Sequence, residues 1–430
     1  PTVFLYRKMK IFVIALLSSL FLIHHSAESF SHLPNYSNTN IVYSKMSLAA
    51  ATAATTTSST IRIVSYNVLS SKLASPSHFT KCDPDHLDFT NRLPRVLTKL
   101  DEEMSRTTAV TTSTPPPAVF CLQEVSYDWA GHLHTFFANR GYHFVTGLYG
   151  KRFNGYMGIG LAYPIDTFET LSVDVSRLSD ERVGGWPRNE EEEEETLMTK
   201  VSSLVSKTWN KSKSLIFTEE RKPVEPWVMS ENRFNVVLTA CLKEKSTGKS
   251  FCIGNYHMPC AFYAPPVMNI HAEMVAKHIQ NLAIQGATAA AGKDTGVEKE
   301  EKSKSCLPYI LAGDFNILPD SPHYSLLTTG VLSKDDPTYP PSRFGVDWEC
   351  DIQPMRSAYA VSDHGEPDFT NYAQIKEDDP FIGTLDYIFL SEEWKVSSVK
   401  EIVHRNDANG PYPIESEPSD HVIIAADLEL

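Results

Sequence analysis

The chain has 430 residues, 42% hydrophobic and 21% charged, with 27 Pro, 20 Gly and a formal net charge of −14. That is globular composition; it excludes a collagen-like, wholly disordered or disulfide-scaffold protein, and the length allows one large domain or two modest ones. Charge is uneven, +6 over residues 1–82 and −20 over the remainder, so a polyanionic substrate of the acidic part must be met by a local basic patch or by bound cations.

The N-terminal segment reads as an address. After Met9 an apolar run at 11–23 is too short to span a membrane comfortably and suits a signal-peptide core, with Ala27 and Ser29 placed for cleavage. Residues 1–29 are therefore expected to be a signal peptide from Met9, and 30–60, rich in Ser, Thr, Ala and Asn, a transit peptide or linker. Together they resemble the bipartite presequence of algae with complex plastids. Simple secretion, or a start at Met46 that leaves a cytosolic enzyme, are the competing readings.

From Ile61 the pattern changes to short β-type runs. Strands are expected at 61–67, 118–124, 142–148, 158–163, 234–242, 250–256, 308–314, 384–390, 396–403 and 421–430, and helices at 91–104, 127–139, 267–284 and 322–327. Several strands adjoin in sequence, which predicts a mixed-sheet α/β or α+β domain over 61–430. Three solvated insertions interrupt it, near 107–117, 188–200 (with six consecutive Glu at 190–195) and 286–305. The seven cysteines show no metal-binding or redox spacing and read as packed free thiols, Cys121, Cys241 and Cys252 lying inside apolar runs.

Polar residues recur at the ends of apolar strands: Asn67 in SYNVLSS, Gln123 and Glu124 in VFCLQEV, Asn255 and His257 in GNYHMP, Asp314 and Asn316 in LAGDFNILPDS, Asp386 in TLDYIFL, Asp420 and His421 in PSDH. Singly, each is explained as a turn former, a helix cap or a satisfied histidine. Together they offer hard oxygen donors and two imidazoles without a thiolate, a set suited to Mg²⁺ and phosphate-ester hydrolysis.

In this order and spacing they resemble the signature of the endonuclease/exonuclease/phosphatase superfamily, the deoxyribonuclease I-like fold. The resemblance implies a four-layer α/β sandwich of two packed mixed sheets flanked by helices. It implies a metal site at Glu124, Asn67 and Asp420, for Mg²⁺ with Mn²⁺ as substitute, and catalytic roles for His257, Asp314, Asn316, Asp386 and His421. Asp314 would orient water, Asn316 hold a phosphate oxygen, Asp386 fix the tautomer of His421, and His257 face the phosphate or leaving group. GDFNILPDS, with FTNYA and FIGTLDYIFLS following, is similar to the branch of carbon-catabolite-repressor-type deadenylases, nocturnin, Angel proteins and 2′-phosphodiesterases. That branch places Phe381 against a base, with Asn255 as a further substrate-binding candidate; a core aromatic is the plain alternative for Phe381. After NYH the chain reads MPCAFYAPP instead of the branch's tryptophan-bearing segment, so the leaving-group side should differ. His271 is expected on a helix, away from the site.

The expectation is a divalent-metal-dependent phosphodiester hydrolase, a 3′→5′ exoribonuclease or related phosphodiesterase acting on RNA, a short oligonucleotide or another phosphodiester. A phosphatase or sphingomyelinase-like lipid phosphodiesterase is the second reading, and an inactive binding module a remote third.

Overall fold

A computed structural model describes residues 60–106, 115–150, 156–189, 225–290 and 306–430. The signal and transit segments up to residue 59, the six-Glu run and most of the insertions lie outside the described residues.

Strand residues alternate between two faces, and here both faces of each sheet are covered. The first sheet has the order β13-β14-β1-β2-β4-β3, from β1 (Thr60–Asn67), β2 (Ala118–Gln123), β3 (Tyr142–Tyr149), β4 (Met157–Pro164), β13 (Lys395–Val399) and β14 (Ile424–Glu429). The second has the order β5-β6-β7-β8-β12-β9, from β5 (Phe168–Arg177), β6 (Val236–Glu244), β7 (Ser250–His257), β8 (Tyr309–Asp314), β9 (Arg356–Ser357) and β12 (Asp386–Leu390). Each sheet holds one parallel pair, β1 with β2 and β7 with β8, and its other pairings are antiparallel. A parallel pair needs a crossover. It is supplied by α2 (Phe89–Ser105), which follows the short α1 (Pro84–Leu87), and by α5 (Pro265–Ala290).

Between the sheets, Ile63, Val119, Cys121 and Ile424 meet Leu238, Ile253, Ile310 and Ile388. On the outer face of the first sheet Val64, Tyr66, Phe120 and Leu122 pack under α2 and α3 (Tyr127–Ala138). Tyr256, Leu311, Tyr387 and Phe389 pack under α5 and α6 (Pro322–Thr329) on the outer face of the second. The layers are helix, sheet, sheet, helix, the four-layer sandwich that the resemblance implies.

The structure departs from the sequence reading at several points. Cys241 and Cys252 are not free thiols. They stand directly opposite on β6 and β7 and form a disulfide, because hairpin register, which spacing alone does not fix, decides which residues face each other. The expected insertion from 286 begins later: α5 continues to Ala290, and Gly286 is packed so closely that a Cβ would lie 2.8 Å from Leu307 and 3.4 Å from the Cys241 sulfur. The strand β5 was not expected; its apolar residues Leu171, Val173 and Val175 are 36–43% exposed, as an edge strand allows. A short α4 (Pro226–Glu231) and a ribbon of β10 (Asn371–Ala373) and β11 (Phe381–Gly383) were also missed.

Candidate active site

The site forms where the two central parallel pairs end. In register, Asn67 lies opposite Gln123, which precedes Glu124, and His257 lies opposite Asp314, which in turn faces Asp386 across the antiparallel β8–β12 pair. His421 precedes β14, antiparallel to β1, and is held by a bridge to Asn371 of β10. All these strand residues occupy the inward-facing phase, so they converge at one end of the inter-sheet space.

The backbone there is tightly constrained. Gly313 has φ +153°, and a Cβ on it would sit 1.8 Å from the Tyr256 carbonyl oxygen, which explains the glycine before Asp314. Leu69, Glu124 and Asn316 all adopt left-handed backbone with φ between +52° and +58°, a cost of about 1 kcal/mol or more each that hydrogen bonds must hold in place. Leu69 N–H donates to Asn67 Oδ1 at 3.0 Å, Ser70 N–H to Glu124 Oε2 at 2.9 Å, and Asn316 N–H to Asp314 Oδ1 at 3.0 Å.

One side of the cleft is carboxylate. Glu124 and Asp420 both line it. Burial first, and then the neighbouring Glu124 charge, raise the Asp420 carboxyl, against His421 and Arg92 which lower it. Arg92 is fully buried, yet its Nε and Nη2 donate to the carbonyls of Pro418, Val68 and Leu69, and it makes no ion pair with either carboxylate. Two hard-oxygen donors held near each other without direct neutralisation fit a small divalent cation such as Mg²⁺. Asn67 is placed differently from the sequence reading. Its oxygen accepts from Leu69, and its amide nitrogen donates to Asp314 Oδ2 at 2.9 Å and Glu124 Oε1 at 3.3 Å, so it braces two carboxylates and is not itself turned out as a metal ligand.

The other side carries the imidazoles. His421 Nδ1 lies 2.7 Å from Asp386 Oδ2, which also accepts from Thr370 Oγ at 2.6 Å. His421 Nε2 and His257 Nε2 lie 3.7 Å and 3.5 Å from the same oxygen, Asp314 Oδ2. Burial opposes the His421 cation, but Asp386, Asp314 and Asp420 outweigh it and raise the imidazole well above its ordinary range. Burial, with Asp386 adding to it, pushes Asp314 up to about 6, against the two histidines. Atoms of Asp314, Asp386 and His421 converge within 4.8 Å as a second cluster able to hold a metal. His421 Nδ1 is already committed to Asp386, however, and the group is an ion-paired relay.

Phe381 is 38% exposed and lines the cleft, so it is not a core aromatic. Asn255 is corrected. It is fully buried, accepts from Gln123 at 2.8 Å and donates to the carbonyls of Leu122 and Gly160, so it ties the sheets together below the site and has no face for substrate. His271 is buried on α5 with Nδ1 2.7 Å from the Tyr256 hydroxyl. Tyr149, at the end of β3, was missed. Its hydroxyl is 3.1 Å from His257 Nδ1; since Asp314 can only accept, Tyr149 donates to Nδ1 and the proton stays on Nε2. Thr370, inside the FTNYA stretch, was visible as a motif residue but its bond to Asp386 was not. The cleft has a volume of about 670 Å³.

The model of the Endonuclease/Exonuclease/phosphatase family matches residues 64–421. The chain belongs to this family. Its members are nucleases and phosphatases, generally dependent on a divalent metal, and the oxygen-rich cleft is in keeping with that. The chain is 25% identical over 229 residues to the CCR4-Not complex 3′-5′-exoribonuclease subunit Ccr4 of Phaeosphaeria nodorum, covering 45% of this chain and 36% of that protein. It is 35% identical over 130 residues to carbon catabolite repressor protein 4 homolog 4 of Arabidopsis thaliana, covering 29% and 28%. The chain thus matches about a third of the length of these relatives. Among solved structures, ANGEL2, a 2′,3′-cyclic phosphatase in complex with adenosine-2′,3′-vanadate, aligns with a TM-score of 0.55 at 20% identity over 87% of this chain and 96% of its own, a likeness of fold. No helix among the described residues is long and apolar enough to cross a membrane.

Proposed function

We propose that the protein is a divalent-metal-dependent 3′→5′ exoribonuclease acting on short, adenylate-type RNA. The observation that carries this reading is the convergence, in one cleft, of the Glu124 and Asp420 carboxylates with the Asp386–His421–Asp314–His257 relay. The similarity to Ccr4 proteins supports the exonuclease activity, and the exposed Phe381 supplies a face for the 3′-terminal base. The acidic remainder of the chain favours a short substrate over long RNA.

A bound metal would supply charge neutralisation at the scissile phosphate, and Glu124 and Asp420 would hold it. Asp314 Oδ2 orients the attacking water and takes its proton. His421, kept protonated by Asp386, donates from Nε2 to a phosphate oxygen. Asn316 spends one amide N–H on the Met258 carbonyl at 3.0 Å and has its second for another phosphate oxygen. The water oxygen bonds to phosphorus, the bond to the upstream O3′ breaks, His257 donates a hydrogen bond from Nε2 to that departing oxygen, and solvent supplies its proton, releasing 5′-AMP.

The test is hydrolysis of 5′-labelled oligoadenylate with Mg²⁺, with chelator, and by Glu124→Ala. A metal-dependent ladder shortening from the 3′ end is expected. No RNA cleavage, with bis(p-nitrophenyl) phosphate or sphingomyelin vesicles still hydrolysed, would overturn the exonuclease reading and favour a small phosphate ester or a lipid.

We also propose that residues 1–29 direct the protein into the secretory pathway. The Cys241–Cys252 disulfide is in keeping with an oxidising compartment. Failure of this segment to carry a fused reporter into that pathway would overturn the proposal.

A further inference from the structure

The remainder of the chain is strongly acidic, and among the described residues lining the cleft Arg233 is the one arginine or lysine. It sits in the turn between α4 and β6, and that turn is pinned. The Arg233 carbonyl accepts from Arg177 Nε at 2.8 Å and from Ser179 Oγ at 3.2 Å, and Asn235 Nδ2 donates to the carbonyl of His257 at 2.7 Å. The backbone at Arg233 is therefore held beside the catalytic end of β7. Its Nε is buried with no hydrogen-bond partner, and its one side-chain bond is a long 3.4 Å contact from Nη2 to the Tyr263 hydroxyl. No carboxylate lies within ion-pair distance of it among the described residues. A guanidinium that lines a cleft without a carboxylate partner is a fork for an anion, and phosphate matches its geometry.

Phe262 lines the same cleft and is 52% exposed. It belongs to the MPCAFYAPP segment where the chain departs from the branch it resembles. A large aromatic left this exposed beside an unpaired guanidinium provides a flat surface for a base next to a holder for a phosphate.

We propose that Arg233 and Phe262 form a second nucleotide subsite on the leaving-group side. Arg233 binds the phosphate next upstream of the scissile one, and Phe262 stacks on the upstream base. This rests on the exoribonuclease reading and adds to it that the preferred substrate carries at least two phosphates.

The test compares kcat and KM on ApA, with one phosphate, and ApApA, with two, for the wild type, Arg233→Gln, Arg233→Lys and Phe262→Ala, at two ionic strengths. The wild type is expected to favour ApApA at least tenfold in kcat/KM. Arg233→Gln should lose most of that preference through KM, Arg233→Lys should keep a substantial part of it, and Phe262→Ala should raise KM on both substrates, since both carry the upstream base. An equal loss on both substrates in Arg233→Gln, or a wild type that does not prefer ApApA, would overturn the subsite and leave the exonuclease reading standing. If neither adenylate is cleaved, that reading falls, and equilibrium binding of adenosine 3′,5′-bisphosphate against AMP decides the subsite without turnover. Tighter binding of the bisphosphate that Arg233→Gln abolishes supports it; equal affinities overturn it.

Discussion

His421 behaves oppositely to a buried imidazole left alone. Burial would favour its neutral form, and three carboxylates reverse that. Removing the charge or its holder should therefore remove turnover without unfolding the protein. His421→Ala and Asp386→Asn are each expected to lower kcat on bis(p-nitrophenyl) phosphate by about 10²–10⁴-fold, with unchanged circular dichroism; a mild effect would make the imidazole structural. Phe381→Ala should instead raise KM on adenylates and spare the generic diester, as stacking and not chemistry is lost. Gly313 illustrates a different constraint. With its Cβ position 1.8 Å from a backbone oxygen, Gly313→Ala is expected to cost more than about 4 kcal/mol in urea unfolding, and a loss under about 1 kcal/mol would refute the clash. The polar residues at strand ends were legible singly because each interrupts an apolar run. Their partners were not: Tyr149 reads as one more strand aromatic until β3 brings its hydroxyl to His257, and Asn255 reads like a site residue until its buried bonds to Gln123 and two carbonyls are seen.

At the scale of elements, α5 carries a pH sensitivity. His271 is fully buried between the Tyr256 hydroxyl and the Ser230 carbonyl, and burial lowers it to about 3. The unfolded chain takes up this proton near its ordinary value of about 6.5, the folded protein only near 3. Stability is therefore fully present above about 6.5 and falls by up to about 1.4 kcal/mol for each pH unit below it. Urea unfolding at pH 7 and pH 5 should show this loss in the wild type and less of it in His271→Gln; identical slopes would show that His271 does not contribute. Most elements of the sandwich were legible because their burial is one-sided or two-sided in a regular period. The strand β5 was not, since an edge strand can leave Leu171, Val173 and Val175 exposed and so lacks a contrast between faces. The Cys241–Cys252 pairing was hidden for a related reason: each cysteine fits its own apolar run, and only the hairpin register places them opposite.

Across the whole molecule, each sheet contributes half of the site through the ends of its parallel pair, and the carboxylates they bring together repel. A bound cation should offset the repulsion between Glu124 and Asp420. Mg²⁺ at a hundredfold excess over its Kd contributes about 2.7 kcal/mol, so it should raise Tm by a few degrees in the wild type and in His421→Ala but not in Glu124→Ala. A shift retained by Glu124→Ala would place the cation elsewhere. What the sequence determined by itself was the chemical inventory and a mixed-sheet domain of strands and helices, because donor type and apolar period are local properties of the chain; the four layers came from the family resemblance. Tertiary structure decided which donors meet. Asn67 became a brace, Asn255 a tie between sheets, Phe381 a cleft wall and Arg233 a cation in the lining of the same cleft, since strand register and sheet packing join residues that the sequence keeps tens to hundreds of positions apart.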